Sequence, residues 1–332
     1  MLHLTNGDST VYGLDEAGVE GQILPWRDVL HEGPVPADLS EDELDEVRAR
    51  FLAGPRTGGY ETVRASFRER EVALTGALDG DEIVLWFEHD LYDQLQLIQI
   101  LSWFAARPAF SARLSMICID AYPGVERFFG LGQLDGAQLA ALFPDRRPVT
   151  ATQIELGERA WGAFRAPEPT AIQELIRGDT SALPFLGRAL RRHLEQFPSV
   201  TSGLSRSESQ ILEVAAAGVR RLDHLFRGTQ DMEEAPFLGD STLWEYVADL
   251  ASGPNPLLRT ADGAPVGDPS TPEEWARQVD LTDAGHDVRR READWIALRG
   301  GIDRWLGGVH LRGERAAWRW DAEKELLVDM RG

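Results

Sequence analysis

The feature that most constrains the fold is an uninterrupted apolar run at residues 83–87, which follows an Asp-Gly turn and precedes three charged residues. Such a run is typical of a strand that is covered on both faces, as in a parallel sheet. Similar strand-like runs occur at residues 2–5, 19–24 and 113–119. Segments with helical periodicity separate them, and this alternation favours a parallel α/β unit. We therefore predict an α/β fold, with a three-layer, Rossmann-like parallel sheet domain over residues 1–145.

The alternation of strand-like and helical segments ends at about residue 145. Residues 146–200 contain helical segments separated by prolines and predict a helical connector. Residues 201–332 open with a capping box, Ser205 to Glu208, and continue with three helices, two short strands and a C-terminal β-hairpin. This order predicts a mainly α, winged-helix-like domain. A length of 332 residues accommodates two or three domains.

Composition narrows the functional classes. The formal net charge of −21 repels phosphate backbones and disfavours a broad nucleic-acid surface. Cys118 is the single cysteine, so the chain has no internal disulfide, and its apolar surroundings predict a buried, inert thiol. The sequence shows neither an apolar stretch of about 18 residues nor a signal peptide pattern. We expect a cytoplasmic protein of bacterial type with no membrane partner.

Polar residues follow each predicted strand of the first domain. The clusters are 6–9, 26–34, 88–90 and 120. Because parallel strands end at a common edge, where open α/β sheets bind ligands, we expect these clusters to share one crevice. The predicted catalytic residues are Ser9, His31, Glu88, His89 and Asp90. The predicted substrate-binding residues are Asn6, Asp8, Arg27, Glu32, Tyr92 and Asp120.

The segment Asn6-Gly7-Asp8-Ser9 has three interpretations. Ser9 could be a nucleophile with His89 as its general base, as in lipase-like hydrolases that carry a Gly-Asp-Ser motif. The other motifs of those hydrolases are missing or out of order. Alternatively, a helix N-terminus here could bind an anion, or the segment could be a plain turn and helix cap.

The segment Trp26–Pro34 places Arg27, His31 and Glu32 just after a strand. Arg27 could hold a carboxylate or phosphate through two parallel hydrogen bonds. His31 and Glu32 could act as acid/base partners. The structural alternative is an ion pair of Arg27 with Asp28 or Glu32 above Trp26.

The cluster Glu88-His89-Asp90 follows the most apolar strand, which would hold its end residues in fixed positions. The polar patch extends into the first turn of the next helix through Tyr92, Asp93 and Gln94. These residues suit acid/base work or a share in a metal site with Asp8 or Asp120, where carboxylate-rich ligation favours Mg²⁺ or Mn²⁺ over Zn²⁺. No His-x-x-x-His, cysteine pair or spaced aspartate ladder occurs, so we assign no metal ligand and leave the cofactor undetermined.

Three motifs agree in order with one known family. They are the Leu-x-x-Gly-Asp-Ser start, residues 26–34 and residues 86–91. On these motifs, residues 1–125 resemble a bacterial family catalogued as domain of unknown function 1835. The resemblance implies an N-terminal domain with an appended C-terminal region, and it implies no activity and no catalytic residues.

A winged helix usually places its third helix in the major groove of DNA. Here that helix, residues 241–250, has no arginine or lysine, and residues 200–260 contain five arginines against nine acidic residues. Charge therefore disfavours DNA as a partner, although Arg289, Arg290 and Arg291 argue for it. We expect a protein partner or a homodimer through this domain instead.

The leading prediction is a small-molecule enzyme, a hydrolase or transferase acting on a phosphate- or carboxylate-bearing substrate at the carboxyl edge of the sheet. One alternative is a ligand-sensing regulator, in which the same pocket binds without turnover and the winged helix contacts DNA or a protein. A further alternative is an interaction scaffold.

Overall fold

A five-stranded sheet dominates the N-terminal half of the molecule, as a computed structural model shows. The structure describes residues 1–80, 82–266 and 271–331. The chain divides into two compact units. Unit 1 comprises Met1–Arg191 and Trp305–Val309, and unit 2 comprises Arg192–Arg304 and His310–Gly332.

The strands of unit 1 are β1 Leu2–Thr5, β2 Gln22–Pro25, β3 Gly33–Pro34, β4 Glu82–Glu88, β5 Arg113–Ile119 and β6 Arg147–Pro148. Its helices are α1 Asp8–Ala17, α2 Glu41–Leu52, α3 Tyr60–Ala77, α4 Leu91–Ala105, α5 Gly136–Leu142, α6 Ala151–Arg165 and α7 Thr170–Arg177, and α8 Leu186–Leu194 crosses the division. The sheet has the order β2-β1-β4-β5-β6. The first four strands are parallel, and β6 is an antiparallel edge strand. The predicted α/β class is confirmed.

Strand β4 lies at the centre of the sheet because its sequence suits burial on both faces. All seven of its residues are buried, between β1 and β5. One face packs against a cluster that includes Leu14 of α1, Leu139 of α5 and Leu131. Parallel pairing brings the carboxyl ends of β1, β4 and β5 to one edge.

The predicted domain boundaries at residues 145 and 200 differ from this division, which falls after Arg191. Helix α6 lies in the predicted connector but packs closely on α4, since a Cβ at Gly157 would come within 2.4 Å of Leu101 Cβ. Residues from the C-terminal region also return to unit 1. There Leu306 and Gly307 pair with β3.

Helix capping follows the sequence at most positions. Ser40 forms the predicted capping box with Glu43, and the Asp90 side chain accepts a hydrogen bond from the Asp93 amide as N-cap of α4. The predicted cap of α1 by Ser9 or Thr10 is wrong. Helix α1 begins at Asp8, and its N-cap is Gly7, which offers no side chain to the first-turn amides.

Unit 2 is mainly helical. Its helices are α9 Arg206–Ala216, α10 Leu222–Asp231, α11 Asp240–Leu250, α12 Pro272–Trp275, α13 Asp283–Arg289 and α14 Trp295–Arg299. Its strands are β7 Leu258–Thr260, β8 Val279–Leu281, β11 Trp318–Asp321 and β12 Leu326–Asp329, while β9 Ile302–Gly307 and β10 Val309–Gly313 cross the division. The strands β7 and β8 pair antiparallel, as do β11 and β12 of the C-terminal hairpin. Arg289 ends α13, and Arg290 and Arg291 follow that helix directly.

No helix in the described part of the chain is both long enough and apolar enough to cross a bilayer.

Candidate functional site

Three carboxyl groups meet where β4 ends and α4 begins. Glu88, Asp90 and Asp93 are nearly inaccessible to solvent, and one oxygen of each lies within 4.8 Å of the others. Oxygen ligands lie about 2.1 Å from Mg²⁺, so oxygens on one ion are at most about 4.2 Å apart. A small adjustment would therefore let all three bind a single cation.

Local sequence explains why the three groups converge. Asp90 caps α4, and its carboxylate accepts from the Asp93 amide at 3.0 Å. The Asp93 side chain points back to the strand and accepts from the Glu88 amide at 2.8 Å. A strand followed directly by a capped helix thus folds three acidic residues over one turn.

Asn6, at the end of β1, joins this cluster. Its amide nitrogen donates to Asp93 Oδ2 at 2.8 Å and to Glu88 Oε1 at 3.3 Å. Thr10 and Tyr92 orient Asn6, because Thr10 donates to its side-chain oxygen and the Tyr92 hydroxyl donates to its carbonyl. The structure therefore brings together four of the predicted site residues, Asn6, Glu88, Asp90 and Tyr92.

The carboxyl groups hold protons more strongly than carboxyls in water. Burial raises the pKa of Glu88 well above its ordinary value, and the charges of Asp93 and Asp90 raise it further, against hydrogen bonds from Leu131 and Asn6. Burial and the Asp93 charge likewise raise the pKa of Asp90. Burial also raises the pKa of Asp93 to about 7, although the Asn6 and Glu88 hydrogen bonds oppose the shift. Among the described residues, no basic side chain forms an ion pair with the three.

Asp93 and the loop 130–133 belong to the site, although neither is among its predicted catalytic or substrate-binding residues. The Leu131 amide donates to Glu88 Oε1 at 2.5 Å, and a Cβ at Gly130 would lie 2.1 Å from Glu88 Oε2. Gly132 also packs closely on Ser9, where a Cβ would lie 2.8 Å from the serine Cβ. The signal was the Gly-Leu-Gly sequence at 130–132, since two glycines permit such close approach.

Asp8 and Ser9 lie on the exposed first turn of α1. Arg27 donates to Asp8 through Nε at 3.0 Å and through Nη2 at 2.5 Å, and both side chains are about half exposed. Ser9 is exposed and shares no hydrogen bond with His89 among the described residues. Gly7 has no side chain to cap the first-turn amides of α1, and the Asp8 carboxylate lies in that turn.

The residues after Arg27 turn into the protein. Asp28 pairs with Arg48 at 2.7 Å, and both side chains are only 1% exposed. The structural alternative considered for Arg27 was an ion pair with Asp28 or Glu32. Instead, Arg27 pairs with Asp8, and Asp28 pairs with Arg48. Arg48 also donates to the Glu32 carbonyl at 2.7 Å, which fixes this loop.

His31 and His89 lie in aromatic surroundings. The buried His31 ring contacts Tyr92 edge-on at 6.0 Å between centroids. The His89 ring lies 6.1 Å from the rings of both Phe128 and Phe185. Burial lowers the pKa of His89 despite the nearby Asp120 charge. The exposed Asp120 lies 3.5 Å from Arg188 and not among the three clustered carboxyls.

A cavity of about 240 Å³ lies beside this edge and is lined by Gln94, Cys118 and Phe185, among others. Gln94 links it to the acidic cluster, since its side-chain amide donates to the Glu88 carbonyl at 2.6 Å. Cys118 is half-buried and lines this cavity, whereas the sequence predicted a buried thiol. Desolvation raises the pKa of its thiol.

Comparison with known proteins gives no further guidance, since no protein-family model and no curated protein matches the chain. The resemblance to the domain of unknown function 1835 stays a prediction that rests on the three motifs.

Proposed function

We propose that unit 1 is a divalent-cation-dependent enzyme, a hydrolase or transferase, that acts on a small phosphate- or carboxylate-bearing molecule. The observation that carries this proposal is the buried cluster Glu88, Asp90 and Asp93, which has no ion-pair partner among the described residues. Burying several carboxyls together is costly unless protons or a cation neutralise them. A hard oxygen-ligand ion such as Mg²⁺ or Mn²⁺ fits this donor set.

The anion would bind between that cation and the N-terminus of α1. Asn6 already connects the two features, since it precedes α1 and contacts both Glu88 and Asp93. Backbone amides at an uncapped helix start favour phosphate or carboxylate, and a metal ion next to them would polarise the bound oxygens. The exposed Ser9 and Arg27 would contact such a substrate at the rim.

The loop 130–133 covers Glu88, so cation entry requires this loop to move. In the described part of the chain, this loop contacts Glu88 through the Leu131 amide hydrogen bond and the close approach of Gly130. Loops that exclude water from a site in this manner are common in enzymes of small molecules.

We also propose that unit 1 has a Rossmann-like arrangement and that unit 2 has a winged-helix-like arrangement. The four parallel strands with helices between them support a Rossmann-like unit 1. The succession α9, α10, α11 and the β7–β8 pair supports a winged-helix-like unit 2. Helix α11 has no basic residue, which favours a protein contact over DNA.

The test begins with metal-stripped protein and titration of Mg²⁺ or Mn²⁺ by calorimetry. We expect one ion to bind to the wild type and Glu88→Gln to weaken binding by about tenfold or more. Glutamine is a suitable replacement because Oε1, which accepts hydrogen bonds from the Asn6 side chain and the Leu131 amide, can remain an oxygen. Asp93→Asn should also weaken cation binding. This variant is less well matched, because the new side-chain NH2 group would face either the Asn6 side-chain amide or the Glu88 backbone amide, which are both donors.

Glu61→Gln is the matched control, because it removes one negative charge from the exposed first turn of α3. The wild type is then assayed with phosphate esters and carboxylic esters in the presence of Mn²⁺. Turnover that disappears in Glu88→Gln but persists in Glu61→Gln supports the proposal. The absence of any cation binding by the wild type would refute it.

A further inference from the structure

A second cavity lies entirely within unit 2, between α9, the end of α13 and the hairpin β11–β12. Its volume is about 420 Å³, which is the size of many small-molecule sites. Its lining combines apolar side chains with hydroxyl and guanidinium groups and with the carboxylates of Glu195, Glu213, Asp321 and Glu323. The lining residues used below are Phe197, Leu212, Val288, Trp320, Ser209 and Arg291.

Arg291 lines this cavity from an unusual backbone position. Its φ angle is +64°, in the left-handed region, directly after the end of α13. The Arg291 amide donates to the Val288 carbonyl, and the Glu292 amide donates to the Asp287 carbonyl. This is the Schellman arrangement, in which glycine is the favoured residue at the position of Arg291. An arginine is unfavourable for the backbone at this position. Strained residues of this kind often occur at ligand-binding sites, which makes the Arg291 side chain a candidate for such a role.

Of the three arginines that line the cavity, two already form ion pairs with carboxylates of the protein. Arg206 pairs with Glu195 at 2.8 Å, and Arg289 pairs with Glu213 at 3.1 Å, so these arginines already have carboxylates. Within the described residues, Arg291 forms no ion pair. Arg289 Nε is buried and has no hydrogen-bond partner in the described structure.

We infer that this cavity binds a small monocarboxylate with an apolar or aromatic body. Arg291 would bind the carboxylate through two parallel hydrogen bonds, which is the geometry that a guanidinium favours. Phe197, Leu212 and Val288 would cover the apolar body. The exposed Glu323 also lines the cavity, and its charge would disfavour a dianion such as a phosphate monoester more than a monoanion.

The experiment uses the full chain and four probes, namely benzoate, phenylacetate, indole-3-acetate and hexanoate. Each is compared at millimolar concentration with its amide by ligand-observed NMR, and phenyl phosphate tests the preference for a monoanion. We expect at least one carboxylate to bind, its amide and phenyl phosphate to bind more weakly, and Arg291→Gly to reduce carboxylate affinity about tenfold or more.

Stability separates a binding role from a structural one. Because glycine suits the left-handed position, Arg291→Gly should raise the unfolding temperature by about 3 °C while binding is lost. Glu325→Gly is the matched control, since Glu325 also has a left-handed φ, of +51°, but does not line the cavity. It should leave carboxylate affinity unchanged. Failure of all four carboxylates to bind, or a carboxylate affinity that Arg291→Gly leaves unchanged, would overturn the inference.

Discussion

At the scale of single residues, surroundings decide how an acidic side chain behaves. Glu88, Asp90 and Asp93 are buried against one another and have raised pKa values, whereas Asp28 is equally buried but lies against the Arg48 guanidinium. Removing one partner from a buried pair such as Asp28–Arg48 typically costs about 3–5 kcal/mol, which marks Asp28 as structural. The same residue type therefore serves the core at one strand end and the candidate site at another.

The raised carboxyl pKa values predict how stability depends on pH. In metal-free protein, the folded state holds protons that the unfolded chain has already released above about pH 4. The stability that these protonated carboxyls contribute is therefore fully present below about pH 4. It is lost as the pH rises from there through about 7, the pKa of Asp93 in the folded protein. We expect the free energy of unfolding to fall by about 1–3 kcal/mol between about pH 5.5 and pH 8. Denaturant titrations at both pH values would measure this decrease.

Glu88→Gln should make the free energy of unfolding fall less between these two pH values, because it removes one of the mutually repelling charges. Added Mn²⁺ should stabilise the wild type more at pH 8 than at pH 5.5, since the ion replaces protons. A pH dependence that is identical in the wild type and in Glu88→Gln would contradict this explanation.

At the scale of elements, the start of each helix decides whether a ligand can approach it. Helices α2 and α4 use Ser40 and Asp90 to satisfy their first-turn amides. Helix α1 begins after Gly7 and lacks such a cap, so its positive end remains open at the edge of the sheet. The loop 130–133 then fits over Glu88 and Ser9 because two glycines allow close approach.

This loop contact predicts the effect of Gly130→Ala. The added Cβ would lie 2.1 Å from Glu88 Oε2, so either the loop or the carboxylate must shift and the Leu131–Glu88 hydrogen bond would be lost. We expect a loss of about 1–3 kcal/mol in the free energy of unfolding, together with weaker cation binding.

Gly54→Ala is the comparison for this variant, because Gly54 has an extended backbone and open space around its Cα. Urea unfolding of both variants would measure the difference. Equal stabilities would show that the loop adapts to the added methyl group without cost.

At the scale of the whole molecule, the chain carries two candidate sites, and each belongs to one unit. The acidic cluster lies in unit 1, and the Arg291 cavity is lined only by residues of unit 2. Hydrogen exchange should therefore show Mn²⁺ protecting amides of α4 and loop 130–133, and a bound carboxylate protecting α9 and the end of α13. Mass spectrometry of peptide fragments would locate the protection. Equal protection of both units by either ligand would contradict two separate sites.

The sequence alone determined the parallel strands and most helix starts, because hydrophobic periodicity and capping are local properties. It also placed Asn6, Glu88 and Asp90 at one edge, since parallel strands must end together. It did not determine that Arg27 would pair with Asp8, that Arg48 would neutralise Asp28, or that loop 130–133 would cover Glu88. Those contacts join residues up to 43 positions apart, and only tertiary packing decides which charges meet and which are left to a ligand.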